Sequence, residues 1–444
     1  MSQFRLARIS LLLAAIGLNA APALLTSAHA QAKPAAPAAE AAKADTIRPD
    51  MFKLLDPAKV KEMMAAKKFA EVQANITAAE AFPNVTPYEA YVINRMKLAL
   101  GATTGNDALA MSALEPVINS GRLDATEKAN FIEALANYNY NAKNYPKAIE
   151  WLKVYQKESP TPDKVRPALA RAYLVTNDFA NAKLELEKVI AAADKAGTKP
   201  SQDDLRLMAG AAGKLKDTAL YTATLERLVT LYPSNEFWTD VLRRMTNKQT
   251  FNDRLRLDAY RLQMSAAKEM EAEEYVDMTE RAMMTGFFGE AKQAMDAGYA
   301  AGKLGKGADT SKHKQLLDKA TKGAADDAKT IDAGEAGARN AKTGTPMVNL
   351  GYAYVTMGQF DKGIELITKG IAKGGLKNPE DAKLRLGVAY AKAGKKDEAI
   401  KTFETIKGSD GTGDLARYWT LYANAPAASA AAPAPAAASA AAAK

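Results

Sequence analysis

Between Ala129 and Pro200 the apolar positions fall three and four residues apart, break at a tight polar turn, and resume in the same order. The first run reads Leu135-Ala136, then Tyr145-Pro146-Lys147-Ala148-Ile149 and Leu152, and closes at Pro160. The second reads Leu169-Ala170-Arg171-Ala172-Tyr173, then Phe179-Ala180-Asn181-Ala182 and Leu186. Ala136 and Ala170 are 34 residues apart, and so are Ala148 and Ala182. Spacing by three and four predicts amphipathic helices. A fixed period of this size predicts stacked two-helix units.

The same pattern extends in both directions. Leu350-Gly351-Tyr352-Ala353-Tyr354, Gly358, Phe360, Gly363 and Ile367 form one copy. Leu386-Gly387-Val388-Ala389-Tyr390, Gly394, Ala399 and Phe403 form another, 36 residues on. Residues 47–128 read as degenerate hairpins with a break at Pro83 and Pro87. Residues 236–343 read as irregular helical repeats, with Trp238, Val241, Leu242, Leu255 and Tyr260 inward. Within that span, 301–343 has room for one further repeat over a thin seam of Leu316, Leu317, Ala320, Ala324, Ala328 and Ile331. It is expected to be the weakest packing in the array. The clear repeats are 129–235 and 344–423, the latter with a capping helix near Leu415 to Ala423.

The spacing has a packing reason. Leu-small-x-x-Tyr puts three side chains on one helix face. The small residue lets the second helix approach, and that helix answers with Ala182 or Ala399 and a large residue four later. Gly358, Gly394 and Asn177 sit between helices, where a left-handed residue ends the first of the pair.

On Leu386, Gly387, Tyr390, Ala399 and Phe403, and likewise Leu169, Ala170, Tyr173, Ala182 and Leu186, the chain resembles the tetratricopeptide repeat family. Pro160 and Pro233 match the proline that often closes that family's unit. It departs where Arg166 and Lys383 stand in place of an early aromatic residue, and where Asn139 replaces a tyrosine. The resemblance implies an all-α fold: about ten hairpins stacked into a right-handed superhelix, an α-solenoid. It also implies that the first helices line a concave groove for peptide or protein segments, with no chemistry of the protein's own.

Composition narrows the function classes. Of 444 residues, 48% are apolar and 25% charged, which is globular composition. There is no cysteine and there are two histidines, His29 and His313, so thiol chemistry and histidine metal sites are nearly excluded. No phosphate loop, His-Glu-x-x-His or Gly-x-Ser-x-Gly motif is present. Neither a cofactor nor a metal is expected. Arg5 and Arg8, an apolar run from Ile9 to Leu25, and Ala28-His29-Ala30 make the three parts of a secretory signal peptide over 1–30. Cleavage after Ala30 would leave a periplasmic or secreted protein with no stable membrane insertion, beginning with a disordered Ala/Pro linker (31–46). Residues 424–444 read as a disordered Ala/Pro/Ser tail. The net charge is +9, or +7 once Arg5 and Arg8 are removed.

Six residues are candidates for partner binding: Asn137, Tyr140, Asn141, Arg171, Asn349 and Tyr352. Asn137 and Asn141 are four apart and share a face with Glu133. Their amides suit an extended backbone, and Tyr140 adds an amphipathic contact. The expected partners are proteins or peptides of the cell envelope. Nucleic acid is not expected, because no aromatic residue lies among Lys303, Lys306, Lys312, Lys314, Lys319 and Lys322 to stack a base. His313, within that run, is expected to be exposed. Met264, Met270, Met278, Met283 and Met284 read as core filling. The acidic run Glu269, Glu271, Glu273, Glu274, Asp277 and Glu280 reads as a solvated face, set opposite Arg254, Arg256 and Arg261. A basic adaptor at an anionic envelope surface, or a carboxylate-based subunit of a glycan-processing complex, remains open.

Overall fold

A computed structural model of the chain describes residues 45–268 and 270–425. The expected signal peptide over 1–30, residues 31–44 of the expected linker, residues 426–444 of the expected tail and Glu269 lie outside them. Among the described residues there are helices and no strand, and the backbone forms two compact units that divide between Ala196 and Gly197. The division falls in the Ala196–Pro200 loop, inside the span 129–235.

In the first unit the helices are α1 (Pro49–Leu55), α2 (Pro57–Ala65), α3 (Phe69–Glu80), α4 (Pro87–Thr104), α5 (Asp107–Ile118), α6 (Ala125–Asn141), α7 (Tyr145–Glu158), α8 (Arg166–Val175) and α9 (Phe179–Lys195). In the second they are α10 (Gln202–Lys214), α11 (Thr218–Leu231), α12 (Asn235–Thr246), α13 (Arg256–Ala266), α14 (Ala272–Met284), α15 (Phe288–Ala300), α16 (Thr310–Thr330), α17 (Gly334–Asn340), α18 (Thr345–Thr356), α19 (Phe360–Lys373), α20 (Pro379–Lys392), α21 (Lys396–Glu404) and α22 (Thr412–Asn424).

One turn recurs. Lys67, Gly105, Lys143, Asn177, Lys216, Gly286, Gly358 and Gly394 all have positive φ, between 56° and 80°. After each, the next amide donates to the carbonyl five residues back, at 2.8–3.0 Å. That bond satisfies a carbonyl which the end of the first helix would leave unpaired. In three cases the residue after the turn also caps the second helix: Asn106 accepts from Leu109 N–H, Asp178 from Asn181 and Asp217 from Leu220. A left-handed residue and the amide-to-carbonyl bond after it, joined in three pairs by a cap, is the local instruction that folds each pair back on itself.

The expected core is the observed one over the opening pair. Leu135, Ala136, Ala148, Leu169, Ala170, Tyr173 and Ala182 are all buried. Asn139 is buried too, and it satisfies its amide by donating to the Leu135 carbonyl at 2.8 Å. Between α18 and α19 the backbones touch. A Cβ on Gly351 would lie 2.7 Å from the Gly363 carbonyl oxygen, and one on Gly363 would lie 2.6 Å from that of Gly351.

Two regions depart from the regular array. In 301–343 the long helix α16 packs against α14 and α15, while the short α17 packs against α18. The segment therefore serves two neighbours instead of forming one hairpin. Of its expected seam, Ala320 and Ile331 are buried, Leu316, Leu317 and Ala324 are half-buried, and Ala328 is exposed. His313 is buried, contrary to expectation: its Nδ1 accepts from the Gly305 amide at 3.2 Å, because the Gly-rich loop before α16 folds over the ring.

The second departure is at the C-terminus. α22 extends the array by packing back against α11 and α13 as well as α20 and α21. Trp419 stacks on Phe403 and meets Tyr422 edge-on, and Tyr422 meets Trp238. Arg417 pairs with Glu226, Lys248 with Asp414, and Arg254 with both Asp381 and Asp410. The last helix thus ties the early helices of the second unit to its late ones.

Candidate partner-binding site

The six candidate residues divide between the two units. In the first unit, α6 begins where the Asp124 side chain caps the Glu127 amide, and Ala129, Ile132, Leu135 and Ala136 turn inward. That leaves Asn137 and Asn141 exposed, one turn apart. Glu133, one turn earlier, accepts from Lys164 Nζ at 2.6 Å. The Glu133 carboxylate is the main cause that raises the Lys164 ammonium above its usual range. The pair joins α6 to the short 3-10 turn Pro162–Val165 ahead of α8. Arg171 is exposed on α8. Tyr140 is half-buried, and its ring meets Tyr145 edge-on at 5.2 Å across the hairpin turn. Its ring closes the α6–α7 hairpin, and little of it remains for a partner.

In the second unit Asn349 is exposed on α18, and its Oδ1 accepts from Arg385 Nη1 at 2.8 Å. These two residues are 36 apart, at equivalent positions of consecutive repeats. Tyr352 is a correction. It is fully buried, its ring 4.3 Å from the Arg261 guanidinium and 5.3 Å from Phe287. No groove face includes it.

Tyr352 leads to an ionic cluster absent from the sequence reading. Arg261 donates to Glu290 through Nε at 2.8 Å and Nη2 at 2.6 Å, and to Asp258 through Nη1 at 2.5 Å. All three residues are buried. Burial works against the Glu290 charge, but Arg261 outweighs it and holds the carboxyl below its usual range. Burial likewise opposes Arg261, and Glu290 more than offsets it. The only sequence signal was Asp258 and Arg261 three apart on one helix; Glu290 is 29 residues away and needed the fold.

The other charged runs resolve into pairs. Arg261 does not face the acidic run. Asp277 accepts from Arg281 and Tyr260, Glu271 from Lys303, and Glu280 pairs with Lys312. Lys314 pairs with Asp318. The acidic run and the lysine run therefore neutralise one another in part, which weakens either as a single-sign surface. Met270 and Met278 are buried as expected, whereas Met284 is 85% exposed. Among the described residues no three His, Cys, Asp or Glu side chains are placed to hold a metal, and no helix is long and apolar enough to cross a membrane.

Comparison with known proteins agrees with this architecture. Tetratricopeptide repeat family profiles match residues 346–372, the α18–α19 hairpin, and 381–409, the α20–α21 hairpin. None of the curated proteins compared with the chain matches it. Among solved structures, the chain is similar to a tetratricopeptide repeat protein from Parabacteroides merdae, at 8% identity over 76% of this chain and 99% of that one, TM-score 0.28. It is also similar to the P58(IPK) TPR domain, at 12% identity over 84% and 97%, TM-score 0.19. A third is yeast Tom70, at 11% identity over 84% and 95%, TM-score 0.22. Two hairpins match in sequence and the turn that closes them recurs in both units: the chain carries tetratricopeptide repeats at 346–372 and 381–409.

Proposed function

We propose that the protein is a non-catalytic binding scaffold of the bacterial cell envelope, and that it holds protein or peptide segments on the first-helix face of its first unit. Tetratricopeptide repeats make it an interaction scaffold. The observation that carries the choice of face is the exposure of Asn137 and Asn141 on α6 and of Arg171 on α8, while the opposite sides of both helices are core. Amide donors and acceptors one turn apart suit a main chain laid across the repeats. Export is supported by the Arg5–Ala30 pattern.

The test is affinity capture from envelope extract with the mature chain and with an Asn137→Ala/Asn141→Ala variant. Both residues are exposed, so the variant keeps its melting temperature. A partner recovered by the parent and reduced at least tenfold with the variant supports the face. Equal recovery by both overturns it. N-terminal sequencing of the protein from cells tests export: a chain beginning at Gln31 is expected, and an intact Met1 terminus in the cytoplasmic fraction sinks it.

A further inference from the structure

The chain enters the first unit along a fixed line. Arg48 donates to Glu89 at the start of α4, through Nε at 2.7 Å and Nη2 at 2.6 Å. It also donates to the Pro83 and Asn84 carbonyls, both at 2.9 Å. Ile47 packs on the core beneath. Asp45 pairs with Arg122, which stands just ahead of α6 and over the Tyr88 ring. Helices α4 and α6 are neighbours: Arg95 of α4 donates to Glu127 of α6 at 2.7 Å and lies over the Phe131 ring. From Arg48 back to Asp45 the backbone therefore crosses from the start of α4 to the start of α6, and the residues before Asp45 are delivered there.

Onward from that point α6 presents Asn130, Ala134, Asn137 and Asn141, three or four residues apart and so on one face. None of the four is buried. Among the described residues the side chains of Asn130, Asn137 and Asn141 form no hydrogen bond, so their amides are unspent. Each amide can donate to and accept from a main chain, and the small Ala134 leaves room for one to approach. Residues 31–44 suit such a face. They hold eight alanines and two prolines, so they have little but main chain to offer. Extended, these fourteen residues reach up to roughly 46 Å, whereas the seventeen-residue α6 is roughly 26 Å long. We propose that residues 31–44 dock along α6, their main chain against Asn130, Asn137 and Asn141, and occupy in cis the surface a partner would use. This rests on the partner face proposed above and adds its regulation: a partner binds only by displacing a built-in competitor.

The chain has no cysteine, so a pair introduced into the mature protein reports proximity alone. At roughly 3.3 Å per residue from Asp45, Ala39 falls beside Ala134. Ala39→Cys/Ala134→Cys is expected to form an intramolecular disulfide at least tenfold faster than Ala39→Cys/Glu150→Cys, whose second position is exposed on α7. Adding Asn137→Ala and Asn141→Ala should slow the first pair to the rate of the second. Equal rates for the two pairs, or a rate unmoved by the asparagine substitutions, would overturn the proposal. So would disulfide-linked dimers in place of the intramolecular bond, which would put the segment on a second copy. This readout needs no partner, so docking can fail while the partner face stands, and the reverse. For the competitor role, the oxidised pair should lose the partner captured by the reduced one and regain it with reductant; equal capture by both forms would refute it.

Discussion

Gly363 shows how a single missing methyl group sets the hairpin. Alanine there ought to help, since it favours helix by about 1 kcal/mol over glycine. Its Cβ, however, would lie 2.6 Å from the Gly351 carbonyl oxygen and 2.5 Å from Val355 Cγ2. Overpacking dominates, and Gly363→Ala is expected to destabilise by about 1–3 kcal/mol in urea melts; a more stable variant would contradict the close approach. Glu89 supplies a pH dependence. Its carboxylate is buried, accepts from Arg48 and completes a capping box with Thr86. The Arg48 hydrogen bonds, working against burial, hold it down at about 2. A depressed folded-state value gives stability that is full above the unfolded carboxylate range of roughly 4.3 and is lost as pH falls through the folded value. The stability gap between the parent and Glu89→Gln should therefore narrow between about pH 4.3 and 2; a constant gap would disprove the assignment. The residue scale also shows what sequence could reveal. Ala136, Ala148, Ala170 and Ala182 were legible because their neighbours on the helix face are local. Tyr352 was not, because it is buried by Arg261, 91 residues away in the chain. His313 was not, because its burial depends on a loop that folds over it.

At the scale of elements, the left-handed turn with the hydrogen bond that follows it explains why hairpins persist where the core pattern drifts. Lysine occupies the turn at positions 67, 143 and 216 as readily as glycine does elsewhere, so a search for glycine alone would overlook those hairpins. α16 is the contrasting element. Of its 21 residues only His313 and Ala320 are buried. It is anchored where a Cβ on Gly323 would lie 2.2 Å from the Phe288 ring. Few buried contacts imply low local stability. Amides of α16 are expected to exchange with solvent faster than those of α18 and α19, by hydrogen exchange read with mass spectrometry, and Gly323→Val should accelerate them further. Equal protection in α16 and α19 would show that the thin seam suffices.

At the scale of the whole molecule, each unit has its own core and its own tryptophan reporter: Trp151 in the first, Trp238 and Trp419 in the second. Trp419→Ala should cost the second unit about 3–5 kcal/mol. The Trp238 fluorescence transition should then move to lower denaturant while that of Trp151 stays in place. Movement of both together would mean that the units unfold as one. The repeat pattern made the helical array and a capping helix near Leu415 to Ala423 readable from sequence, yet not the anchoring role of that helix, because α22 touches α11 across nearly two hundred residues.

The return of α22 onto α11 and α13 also orders events in time. Helices of the first unit meet mainly their neighbours in sequence, and such contacts form as the chain appears. The second unit cannot reach its final state until Trp419, almost the last described residue made, is available to join Trp238 and Phe403. The fastening that completes the second unit is thus the one delivered last.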